Sequence, residues 1–249
     1  MLNSVSAMRS NCRNEIQFKP EASEIMNSFD RVLTARQDSA VSTNKVLRNT
    51  YALLSMTLLF SALTAGVGMA MGISPTVGVL STLGAIGLLW LVLPRTENSG
   101  AGIAVVFAFA GLMGLGLGPV LTHYLAFAGG PRLVATALGG TGVIFLGLSG
   151  YALTTRRDFS FMGGFLFVGL VVALVAMIAN LFLEIPALSL AISGVVVLLM
   201  SGLILFDTSR IINGGETNYL RATVALYLDI YNLFVNLLHL LSAFAGGDE

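Results

Sequence analysis

The chain has 249 residues with 13 basic and 13 acidic side chains, and 10% of it is charged, where a soluble domain has about 25%. Hydrophobic residues make up 55% and mean hydropathy is +0.85, which excludes a disordered chain and argues against an ordinary soluble enzyme. Zero formal net charge gives no clustered basic footprint for nucleic acid, and the lone Cys12 has no internal disulfide partner. A polytopic membrane protein remains.

Charge is concentrated at the start. Residues 1–44 are polar, mixed in charge and without an apolar core, so they read as a cytoplasmic, largely disordered tail and not as a secretory signal. Residues 45–249 read as a seven-helix transmembrane domain. Uncharged runs cover 49–94, 98–131, 133–155, 159–183 and 185–206, and a spanning helix needs about 20 apolar residues. The first run holds two spans, broken near Gly72-Ile73-Ser74-Pro75. The expected spans are roughly 51–71, 76–93, 102–122, 133–153, 162–183, 188–206 and 223–245. A β-barrel needs short alternating segments; these runs are continuous and rich in Leu, Ala and Gly, so the fold class is an all-α integral membrane protein.

Lys45 and Arg48 precede span one, and alternate loops hold Arg95, Arg156 with Arg157, and Arg210 with Arg221. The opposite loops hold Arg132 and Glu184. The tail and the arginine loops are therefore expected in the cytoplasm. Seven spans put the C-terminus outside, in a bacterium the periplasm; a re-entrant last segment would put it inside.

Small residues let helices approach closely in lipid. Gly68 with Gly72, and Gly114 with Gly118, have the spacing for this. Gly139, Gly140, Gly142, Gly147 and Gly150 enrich span four, and Gly163, Gly164 and Gly169 enrich span five. Packing within the chain is the expected use, with homodimerisation the alternative. The glycines at 114–118 lie inside an apolar span without a preceding strand, so they are no nucleotide loop.

Span seven carries Asp229, Asn232, Asn236 and His239. At about 100° per residue all four share one face. Such a stripe faces protein or water, which makes the last helix central in the bundle. Asp229 is the one charge well inside a span, and an aspartate at mid-bilayer costs roughly 2.5–3.5 kcal/mol on insertion scales. Asp207 closes span six on the same side, so the two carboxylates can lie at similar depth and share a proton. In the alternative, Asp207 caps a helix end while Asp229 pairs with Arg210, Arg221 or Arg95. His123 and His239 stand apart from any further His or Cys, so no zinc set is expected. No Ser-His-Asp grouping, Walker motif or metalloprotease motif supports catalysis, and no cofactor is expected.

Leu226-Tyr-Leu-Asp-Ile-Tyr-Asn-Leu-Phe-Val-Asn-Leu-Leu238 resembles the C-terminal signature of the Bax inhibitor 1 family. Thr154-Thr-Arg-Arg-Asp-Phe-Ser-Phe161 and Leu205-Phe-Asp-Thr-Ser209 are similar to further segments of that family. Asn44-Lys-Val-Leu-Arg-Asn-Thr-Tyr51 and Gly214-Gly-Glu-Thr-Asn-Tyr-Leu-Arg-Ala-Thr223 resemble a bacterial inner-membrane branch. The likeness runs from about residue 44 to the end. It implies seven helices with the last central. It also implies a partner, the membrane-anchored AAA protease FtsH, whose degradation of membrane proteins the branch slows while being degraded from its own N-terminal tail. Other members are pH-sensitive calcium leaks latched by two aspartates, which match Asp207 and Asp229; these would be the calcium contacts. Those members also use an arginine near the cytoplasmic end of span two, for which Arg95 is the candidate, and an acidic residue within span two that has no counterpart here.

Overall fold

The structure, a computed structural model, describes residues 43–245. The expected tail lies outside them, apart from the first residues of helix α1. Seven helices are long and apolar enough to cross a membrane: α1 Thr43–Ala70, α2 Pro75–Thr96, α3 Ala101–Leu125, α4 Gly130–Thr155, α5 Ser160–Leu183, α6 Pro186–Ile212 and α7 Tyr219–Ala245. Each matches one expected span, α1 ending one residue short of it. α1 begins eight residues before the apolar run it carries, and α7 is continuous across its full length.

The breaks follow from local chemistry. Gly72 adopts φ 60° just past α1, a turn conformation open to glycine. Ser74 then caps α2, its Oγ accepting from the Val77 amide at 3.4 Å, and Pro75 opens the helix. Near the other end of α2 the turn widens to a π-helix over Leu88–Val92. Pro94 comes two residues after it and has no amide hydrogen to return to the preceding turn, which accounts for the local rewinding.

α7 is bordered by α3, α4 and α6 and is tied to α1 through side chains. Ser61 and Tyr227 share a 2.6 Å hydroxyl hydrogen bond, and the Thr223 hydroxyl donates to the Thr50 carbonyl at 3.4 Å. The Phe109 ring meets Tyr227 edge to face at 5.1 Å. α2 packs on α3, and α5 packs on α6. Four of the other six helices thus border the central one, and two stand outside. α5 is the most apolar span and the least buried; lipid serves such a surface as well as protein does.

Glycine spacing worked as expected between α1 and α3. A Cβ on Gly114 would lie 2.1 Å from Thr64 Oγ1 and 2.2 Å from the Ser61 carbonyl oxygen, and one on Gly118 would lie 3.1 Å from Gly68 backbone. Gly72 contributes a turn instead of a contact. In α4 and α5, Gly140, Gly163 and Gly169 face Leu237, Phe206 and Leu199, but Gly139, Gly142, Gly147, Gly150 and Gly164 have open space beside them. Helical spacing alone does not say which glycine turns inward.

Candidate functional site

The aspartates meet where α6 ends and α7 begins. Asp229 is buried, 5% exposed, and its carboxyl group is within hydrogen-bonding reach of Asp207. Its Oδ2 is buried and has no hydrogen-bond partner among the described residues. Among the described residues, no arginine pairs with Asp229. Arg210 lies 3.7 Å from Asp207 Oδ1 and 3.8 Å from Glu216 Oε2, so the countercharge belongs to Asp207 and to the α6–α7 loop. Arg221 pairs with Glu97 through two hydrogen bonds. Arg95 donates to the Leu91 carbonyl of its own helix and forms no ion pair among the described residues. The alternative in which Asp229 pairs with Arg210, Arg221 or Arg95 is therefore not the arrangement found.

Arg210 is itself positioned by packing. Its guanidinium lies over the Phe206 ring at 5.6 Å, and the ring fits against Gly163, where a Cβ would approach within 3.0 Å. A glycine in α5 thus makes room for the ring that supports the arginine beside Asp207. Next to Asp207, Thr208 belongs to a hydroxyl cluster that joins three helices. Ser149 Oγ is 3.0 Å from Thr208 Oγ1 and 2.5 Å from the Tyr51 hydroxyl. Tyr51, Ser149 and Gly163 were not expected at this site. Tyr51 and Gly163 fell in segments already noted for other reasons; Ser149 carried no sequence signal.

The α4–α5 turn is fastened to the same end of the bundle. The Ser209 hydroxyl donates to the Arg157 carbonyl at 3.0 Å and accepts from the Phe159 amide at 3.0 Å. Asp158 accepts from the amide of Ser160 at 2.8 Å and from its hydroxyl. These bonds hold the Asp158 carboxyl below the usual carboxylate range, the Ser160 hydroxyl first. Across the loop ends, Asn218 donates to the Glu97 carbonyl at 3.2 Å. The hydrogen bond from Arg221 holds the Glu97 carboxyl below its ordinary range, against a smaller opposing effect of burial.

The polar stripe divides. Asn232 and Asn236 each donate to the carbonyl four residues earlier, at 2.8 Å. His239 shares a 2.9 Å hydrogen bond with Ser193 of α6. Asn236 and His239 line a cavity of about 430 Å³ together with Asn180, Glu184 and Ser193, at the end of the bundle opposite the aspartates. Among the described residues, no group of three or more His, Cys, Asp or Glu side chains converges as a metal site.

Seven long apolar helices, the last of them central and carrying a buried acid, define a polytopic helical membrane protein. The family profile described as "Inhibitor of apoptosis-promoting Bax1" matches residues 43–246, and the chain belongs to the Bax inhibitor-1 family. It is 52% identical over 223 residues to a protein named "Modulator of FtsH protease YccA" from Escherichia coli K12, covering 88% of this chain and all of the relative. It is 51% identical to an uncharacterized membrane protein of Vibrio cholerae, covering 90% and 100%. An uncharacterized protein of Neisseria meningitidis serogroup A is 36% identical over 221 residues, covering 84% and 95%. The family segments noted in the sequence are those that meet around Asp207, Asp229 and Ser209.

Proposed function

We propose that this chain is a multi-pass protein of the bacterial inner membrane that binds an FtsH-type membrane AAA protease and modulates its action in membrane-protein quality control, without an enzymatic activity of its own. The observation that carries the reading is the 52% identity along the whole length of a relative named as a modulator of that protease. The arginine bias supports it, because it puts residues 1–44 on the side where such a protease would grip a chain end. The closely packed bundle behind that tail resists extraction, which makes the protein a slow, competing substrate. The test is recovery of the protease with this chain after crosslinking in membranes, together with slower turnover of another membrane substrate when the chain is overproduced. Loss of both overturns the reading. Removing residues 1–42 is expected to lengthen the protein's own lifetime in pulse–chase experiments wherever the protease is present.

A second reading is favoured by the buried contact of Asp207 with Asp229: a pH-sensitive calcium or cation leak gated by that pair. Two carboxylates in a dry site share a proton, and its loss drives them apart. They supply fewer oxygens than the six to eight of a resident calcium site, so calcium is cargo in this reading. Flux of calcium into liposomes holding the purified chain tests it.

A further inference from the structure

At the end of the bundle that carries the α3–α4 and α5–α6 turns, a cavity of about 1040 Å³ opens between α4, α6 and the last two turns of α7. Its walls are mainly apolar, with Leu133, Leu190 and Phe244 among them, and Arg132 and His239 stand in the same lining. Among the described residues, no carboxylate is in that lining. Arg132 forms no ion pair among the described residues.

Two long helices begin at its rim, α4 at Gly130 and α6 at Pro186, and both contribute residues to the wall. Neither has an acidic residue in its first turn or a side-chain cap. Both ends therefore add partial positive charge to that of Arg132, while Glu184, just ahead of the α6 start, lines the smaller cavity and not this one. Net positive charge at the mouth and an apolar wall behind it suit an amphiphile with an anionic head. A small soluble anion would satisfy the charge and leave the wall wet, and an uncharged chain would do the reverse.

We propose that this cavity binds one anionic phospholipid, its phosphate at Arg132 and the starts of α4 and α6, and an acyl chain along Leu133, Leu190 and Phe244. His239 also lines the smaller cavity beside Asn236, so the bound lipid covers the end of the polar stripe of α7. The proposal is independent of the protease reading and goes beyond it.

The test is native mass spectrometry of the full chain in a neutral detergent, with phosphatidylglycerol or phosphatidylcholine added. The parent is expected to retain one phosphatidylglycerol and to release phosphatidylcholine. Arg132→Gln is expected to bind phosphatidylglycerol about five-fold more weakly, the loss of one charge-assisted contact at a partly exposed site. Arg48→Gln, at the opposite end of the bundle, is expected to bind as the parent does. Leu190→Trp narrows the apolar part of the cavity, leaves Arg132 in place, and is expected to weaken retention of the lipid. Inorganic phosphate alone is expected to leave the thermal unfolding temperature unchanged. Equal retention by Arg132→Gln and the parent, equal retention of the two lipids, or a stabilisation by inorganic phosphate matching that by phosphatidylglycerol would overturn the proposal.

Discussion

Asp229 enters the bundle beside Asp207, with its Oδ2 buried and without a partner among the described residues. Removing the proton shared by two such groups leaves two like charges in contact, with Arg210 close to one of them only. In the leak reading the two carboxylates share that proton only while they are together, so by linkage the closed arrangement loses stability as pH rises and regains it as pH falls. Asp229→Asn removes one charge and gives Asp207 an amide donor. The variant is expected to outlast the parent in thermal unfolding at alkaline pH, the difference closing in acid. Calcium flux through liposomes should rise with pH in the parent and stay flat in the variant. Identical pH profiles in the two proteins would reduce Asp229 to a structural residue. The stripe on α7 was legible because helical periodicity places all four polar side chains on one face. The Asp207–Arg210 pair has the i,i+3 spacing of one helix, but the sequence offers Arg210 as one of three candidates for Asp229, and apolar spacing does not say that Phe206 lies beneath its guanidinium.

Contacts between helices depend on where backbone meets backbone. Gly114 faces Ser61 and Thr64 of α1 with no room for a Cβ, while Gly147 of α4 has open space. Gly114→Val is expected to destabilise the bundle by about 1–3 kcal/mol through overpacking, and Gly147→Val by less than about 0.5 kcal/mol. Unfolding in detergent distinguishes the two, and equal effects would show that the α1–α3 approach is not tight. Glu97 and Arg221 tie the end of α2 to the start of α7. The Glu97 carboxyl is held below its ordinary value, so its contribution is complete above that value and is lost as pH falls through the lowered one. Glu97→Gln is expected to unfold at a lower temperature than the parent at neutral pH and to lose less on acidification between about pH 5 and 3. A parallel decline in both proteins would mean that the ion pair adds no acid-sensitive stability. This pair escaped sequence reading because its members lie 124 residues apart, joined by no local pattern.

For the whole molecule, span number and helical class were legible because about 20 apolar residues in a row have few other uses. The order of helices around α7 was not, since apolar runs of similar composition do not reveal which of them borders protein and which borders lipid. Topology joins the two levels. α7 is an unbroken 27-residue helix, about 40 Å long at 1.5 Å per residue, against a hydrocarbon core of about 30 Å. It has the length for a full crossing, unlike a re-entrant segment that turns back. An odd number of crossings puts the two chain ends on opposite sides, and from the bias of Arg95, Arg156, Arg157, Arg210 and Arg221 to alternate loops we propose a cytoplasmic N-terminal side. Alkaline phosphatase fused after residue 249 is therefore expected to be active, and a fluorescent protein that matures only in the cytoplasm, fused at the same point, to stay dark. Fusions placed in the α2–α3 and α4–α5 turns should give the reverse pattern. Bright fluorescence at the C-terminus, with the reverse pattern kept at the two turns, would mean that α7 lies in the bundle without crossing. It would also put the cavity beside Arg132 and the end of α7 on different sides of the membrane, although both belong to one wall in the structure.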